Sequence, residues 1–138
     1  MSKVREAMVS EPRTLETSAP AVEAGQLLAR PEVRAVFVSD EGRLVGVVTR
    51  KTLVREVVAT GRDPRETRVG EIAEKPYYTL DSELDLEAAF RFLEEHDAER
   101  VPVVEGGRLV GVLSRELVQR RLAEDELPEP ERENQQQV

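Results

Sequence analysis

The chain contains no cysteine, no tryptophan and a single histidine, and aromatic residues make up 4% of its 138 positions. Without cysteine there is no disulfide framework, no thiolate metal site and no thiol nucleophile. His96 has no second histidine or cysteine beside it, so we expect no metal site. The shortage of aromatics leaves Val, Leu and Ala to build the interior. Positive charge is also short: 20 Lys and Arg stand against 28 Asp and Glu, a net −8. That balance argues against binding along a nucleic-acid backbone, which needs a field of cations. No segment approaches the 18 or so apolar residues of a membrane span, and "MSKVREAMVSEPRTLE" has no run of signal-peptide length. We expect a cytoplasmic protein with neither membrane nor nucleic acid as partner. No nucleophile is placed with a base, so enzyme activity is not expected either.

What the sequence does have is a repetition. "GRLVGV" occurs at residues 42–47 and again at 107–112, each time followed at a short interval by a hydroxyl and an arginine, Thr49-Arg50 and Ser114-Arg115. Setting Val4 over Val69 extends the likeness. "VREAMVSEPRTL" lies over "VGEIAEKPYYTL", and "RAVFVSDEGRLVGVVTR" over "RVPVVEGGRLVGVLSR". A period of 65 is too long for a solenoid and points to two paired subdomains. Residues 1–60 hold the first copy, 61–68 a linker and 69–123 the second. The acidic stretch 124–138 supplies −5 of the net charge, lacks periodicity, and is expected to be disordered.

Each copy reads as the same series of elements. A short amphipathic segment (Val4–Met8; Val69–Ala73) leads through a proline to an extended piece ending at Leu15 or Leu80. A helix follows. In the second copy Ser82 to Asp85 fits a capping box, with Leu86, Ala89, Phe90 and Leu93 at helical spacing. In the first copy Pro20 stands at a first-turn position. Next comes a hairpin, Ala35–Val38 with Leu44–Thr49 and Val101–Val104 with Leu109–Ser114, joined by short glycine-containing turns. "LVGVV" and "LVGVL" are apolar on both faces and should be covered on both. Gly46 and Gly111 at their centres suggest close approach of another segment. The closing helices carry stripes at Leu53, Val54, Val57 and Val58, and at Val118 and Leu122. Tyr77 and Tyr78 read as half-buried strand residues or as a stacking surface. The sum is an α+β fold with two small sheets.

Thr49 and Ser114 stand just before the closing helices, where a hydroxyl serves as N-cap and where an anion is also favoured. Arg50 and Arg115 are more informative. A cation in a first turn is unfavourable by a few tenths of a kcal/mol, and a bound anion would reverse that sign. The alternative is that both arginines point to solvent or pair with an acid such as Glu116.

Taken together, a β-α-β-β-α unit that ends in a glycine, two aliphatics and a hydroxyl, present in tandem, resembles a CBS-domain pair, the Bateman module. "RVPVVEGGRLVGVLSRELV" and "RAVFVSDEGRLVGVVTRKTLV" carry the resemblance. It implies a regulatory, non-catalytic module in which two repeats pack about a pseudo-two-fold axis. The groove between repeats would hold an adenosine-containing ligand such as AMP, ADP, ATP or S-adenosylmethionine. Thr49 and Ser114 would meet its phosphate or ribose. Ala19, Val33 and Arg34, or alternatively Glu83, Ala98 and Glu99, would lie against its base. The family aspartate three residues after the hydroxyl, which accepts from the ribose hydroxyls, is Thr52 in the first copy and Leu117 in the second. Charge favours the groove formed by Ala19, Val33 and Arg34 with Ser114 and Arg115 over the one formed by Thr49 and Arg50 with two carboxylates. The resemblance also implies a homodimer. Two readings follow: a module that binds an adenosine nucleotide or related anion and signals to a protein partner, and a ligand-free dimerisation or protein-interaction module with a degenerate nucleotide site.

Overall fold

The computed structural model describes residues 2–10 and 12–126. Its elements run α1 (Val4–Ala7), β1 (Val9–Ser10), β2 (Thr14–Glu16), α2 (Ala21–Leu28), β3 (Val36–Asp40), β4 (Arg43–Val48) and α3 (Arg50–Leu53). A π-helical stretch, Val54–Val58, prolongs α3. Then come α4 (Val69–Ile72), β5 (Leu80–Asp81), α5 (Leu86–Glu95), β6 (Arg100–Glu105), β7 (Arg108–Ser114) and α6 (Arg115–Glu126). This is the α+β order expected from the repeat, but the two small sheets expected from it are joined into one hydrogen-bonded sheet through the Arg43–Arg108 pair of β4 and β7.

The chain divides into two compact units that cut across the order of the sequence. The first comprises Glu11–Tyr77 with Glu105–Leu109; the second comprises Met1–Ser10, Tyr78–Val104 and the chain from Val110 onward. In the first unit β2 lies parallel to β3, with α2 as the crossover, and β3 pairs antiparallel with β4. In the second, β5 lies parallel to β6 and β1 pairs antiparallel with β7. The leading segments are exchanged between copies. Val9 and Ser10, from the first copy, pair with Val112 and Gly111, while Glu74, from the second, bridges to Val47. This exchange is why Gly46 and Gly111 must lack side chains. A Cβ on Gly46 would stand 2.7 Å from Ala73 Cβ, and one on Gly111 would stand 2.8 Å from the Val9 carbonyl oxygen.

Each unit has its own aliphatic core. Ala24, Leu28, Val36, Val48 and Val57 are buried in the first, with Val69 and Ile72 of α4. Val4 of α1 joins Leu86, Leu93, Val103, Leu113 and Val118 in the second. The hairpins turn through two residues of positive φ each, Glu41 and Gly42 (51° and 87°) and Gly106 and Gly107 (56° and 83°). That is the turn geometry whose twist matches paired strands.

Several expectations need correction. Of the closing stripe in the first copy, Val57 is buried but Val54 and Val58 are 56% and 72% exposed. The π-helical turn breaks the 3.6-residue phase on which the stripe was counted. Val45 is exposed, so β4 is not fully covered on both faces. Helix α5 starts at Leu86 with Asp85 as N-cap, rather than at a Ser82 box. The Asp85 carboxylate accepts from Lys3 Nζ at 2.7 Å instead of capping backbone. Tyr77 and Tyr78 lie outside the strands, and Tyr77 is 93% exposed. Residues 124–126, assigned to the acidic tail, are the last turn of α6. Ser2 Oγ donates to Asp125 there at 2.7 Å and Arg121 stands 3.6 Å from it, which offsets acids at a helix C-terminus. The remainder of that tail, 127–138, lies outside the described residues.

Candidate functional site

Six of the residues expected at a ligand, Ala19, Val33, Arg34, Thr49, Arg50 and Thr52, belong to the first unit, and Ser114 and Arg115 to the second.

In the first unit Thr49 is the N-cap of α3. Its hydroxyl accepts from the Thr52 amide at 3.3 Å, and its own amide donates to Thr52 Oγ1 at 3.1 Å. Thr52 is fully buried. Its hydroxyl donates onward to Glu74 at 3.3 Å, so the 3.1 Å contact between the two hydroxyls is a donation from Thr49 to Thr52. The threonine pair therefore passes its polarity to the Glu74 carboxylate, which Arg55 also holds in an ion pair. To give a hydrogen bond to a phosphate, Thr49 would have to release Thr52. Thr52 does not replace the family aspartate at a surface; it locks the cap from beneath.

Arg50 is exposed and donates from Nη2 to the carbonyl of Arg30, just past the end of α2, at 2.8 Å. Among the described residues no carboxylate lies within ion-pair distance of it. Arg34 is exposed, Ala19 is half-buried against the core, and Val33 is buried within it.

The second unit repeats this arrangement with different electrostatics. Ser114 Oγ accepts from the Leu117 amide at 3.3 Å, again as an N-cap. Arg115 donates from Nη2 to the Leu93 carbonyl in the last turn of α5 at 2.8 Å. Its guanidinium also stands 3.6 Å from both Asp97 and Glu99, whereas Glu116 pairs with Arg120. Arg115 is 21% exposed, and its Nε is buried without a hydrogen-bond partner among the described residues. The charge that favoured this arginine as an anion anchor is thus answered by two carboxylates of its own unit. Glu83, expected on the competing side, is engaged by Arg5.

Sequence reasoning missed Glu74 and Arg55, and it missed the carbonyls of Arg30 and Leu93 as the arginines' partners. A signal for the last two was present: both copies place an arginine about twenty residues after a helix end that needs a donor. None marked Glu74, whose position depends on the exchanged leading segment. Among the described residues no group of His, Cys, Asp or Glu could hold a metal ion, and no helix is long and apolar enough to cross a membrane.

Comparison with known proteins agrees with this architecture. The model of the CBS domain matches twice, over residues 4–59 and 69–124. Hypoxic response protein 1 of Mycobacterium tuberculosis is 31% identical over 102 residues, 73% of this chain and 71% of that protein. The crystal structure of Hypoxic Response Protein I with two coordinated zinc ions has a TM-score of 0.74 at 26% identity, covering 88% of this chain and 99% of that one. That of CBSX2 in complex with AMP has a TM-score of 0.71 at 25% identity, covering 91% and 98%.

Proposed function

The chain belongs to the CBS-domain family, and from that membership we propose that it is a regulatory module that binds an adenosine nucleotide or related anion and signals to a protein partner. AMP, ADP, ATP and S-adenosylmethionine are the ligands to try. The AMP complex of the related CBSX2 supports the choice of chemistry. The observation that carries the reading is Arg50, an exposed cation beside the half-buried Thr49, with no carboxylate among the described residues within ion-pair distance of it. Thr49, Arg50, Arg34 and Ala19 retain surface for a ligand, while Thr52 and Val33 support them from the core. Ser114 and Arg115 serve first as cap and helix tie. Titration of AMP into the protein and into an Arg50→Glu variant tests this. The reading expects saturable binding that the variant weakens at least tenfold, and equal binding by both proteins overturns it.

A specific observation favours a second reading, a dimerisation module. Val54 and Val58 project from one helical run, whereas the positions 65 later are Gln119 and Ala123. Light scattering on the protein and on a Val54→Ser, Val58→Ser variant separates the readings: a dimer lost in the variant supports it, and a wild-type monomer removes it.

A further inference from the structure

The repeated hexapeptide does more than make a turn twice. Arg43 and Arg108, the residues after the two turn glycines, are paired antiparallel. The Leu44 amide donates to the Gly107 carbonyl and the Leu109 amide to the Gly42 carbonyl, both at 3.1 Å. The side chains cross in the same reciprocal way. Arg43 Nη1 donates to the carbonyl of Gly106 at 3.2 Å, and Arg108 Nη1 donates to that of Glu41 at 3.3 Å. Each guanidinium lies over the other turn's glycine. A Cβ on Gly42 would collide with Arg108 Nη2, and one on Gly107 would stand 2.5 Å from Arg43 Nη2. Positive φ favours glycine at both positions, and its bare surface leaves room for the flexible tip of the opposing arginine, which a side chain there would displace. All of these contacts fall within the first unit, which takes in Glu105–Leu109 from the second copy.

We infer that Gly42-Arg43-Leu44 and Gly107-Arg108-Leu109 form a clasp that gives the two hairpin turns a single opening equilibrium. No one of the four hydrogen bonds closes the clasp alone. Releasing either turn removes two acceptors from the other, since each copy supplies both a donor side chain and an acceptor carbonyl. Segments 65 residues apart in sequence then open and close together. Whatever strains one hairpin is felt in the other, and no ligand is needed to join them. The clasp is a coupling device written into the repeat, and it stands independently of whether a nucleotide binds.

Amide hydrogen exchange on the full chain tests it, because local opening is read residue by residue. Arg43→Ala and Arg108→Ala each remove one side-chain bond. Each variant should accelerate exchange of both the Leu44 and the Leu109 amides, by a similar factor of about three to ten. The β3 amides should keep their wild-type rates, showing that the unit has not unfolded globally. If either variant accelerates only one of the two amides, or neither, the turns open separately and the inference is overturned. A Gly107→Ala variant supplies a second check through the other component of the clasp. It should accelerate Leu44 exchange as well as Leu109, and loss confined to Leu109 contradicts the coupling.

Discussion

Arg115 reaches back 22 residues to donate to the carbonyl of Leu93 in the last turn of α5, at 2.8 Å. Arg50 does the same across 20 residues to Arg30 past the end of α2, also at 2.8 Å. A cation is disfavoured in a helix's first turn and favoured at a helix's end. Each arginine resolves that conflict by leaving its own helix and serving the C-terminus of the preceding one. This accounts for the hydroxyl followed by arginine that both copies carry: the hydroxyl caps the closing helix and the arginine ties it to the earlier helix of the same copy.

The two ties should differ in strength. Arg115 is largely buried, so Arg115→Met removes a charge-assisted bond from a partly dry site and should cost about 1.5–3 kcal/mol in urea denaturation. Arg50 is exposed, and Arg50→Met should cost under about 1 kcal/mol. Equal losses would mean that Arg50 is as much a structural tie as Arg115. Arg115→Glu should be worse than Arg115→Met, because a third carboxylate would join Asp97 and Glu99.

Much of this was readable from the sequence because it is local. Turn glycines, the N-cap hydroxyls of Thr49 and Ser114 and the β-α-β-β-α order depend on neighbours in the chain, and those expectations match the structure. The start of α5 was misread because Asp85 and Ser82 are both good cap residues. A tertiary contact, Lys3 to Asp85, accompanies the later start. Val54 and Val58 were misread because the count assumed an α-helix where a π-helical turn intervenes. The carbonyl partners of the arginines, the role of Glu74 and the exchange of leading segments are all long-range, and periodicity carries no information about them.

The glycines at the centres of β4 and β7 give a sharper test of that exchange. Gly111→Ala would drive a methyl to 2.8 Å from the backbone oxygen of Val9, which cannot move as freely as the nearby Met8 side chain. Gly46→Ala meets Ala73 Cβ at 2.7 Å and the Glu74 carbonyl oxygen at 3.0 Å. Each should destabilise by about 1–3 kcal/mol through overpacking. A neutral result at either position, measured by urea denaturation, would show that the leading segment does not pack against that glycine.

Lys3 and Asp85 predict a pH signature. The hydrogen bond from Lys3, and then its charge, hold the Asp85 carboxyl below its ordinary value; the same bond and the Asp85 charge raise the Lys3 ammonium above its own. A lowered carboxyl contributes stability that is present above about pH 4 and lost as pH falls through the lowered value. A raised ammonium contributes stability that is present below about pH 10.4 and lost as pH rises through the raised value. Lys3→Met should therefore flatten the acid limb of the stability curve and lower the neutral plateau. An unchanged acid limb in denaturation measured from pH 2 to 7 would count against the pair.

Arg50, beside the Thr49 cap, is proposed as the anchor of an anion site of adenosine-ligand chemistry. It is tested most directly by thermal shift with AMP, ADP, ATP and S-adenosylmethionine, each at about 100-fold over its dissociation constant, where a true ligand adds about 2.7 kcal/mol. A clear upward shift is expected with at least one of them, lost in Arg50→Glu and retained in Arg120→Glu, whose arginine pairs with Glu116 on the exposed face of α6. No shift with any of the four, or a shift that Arg50→Glu leaves intact, would contradict it.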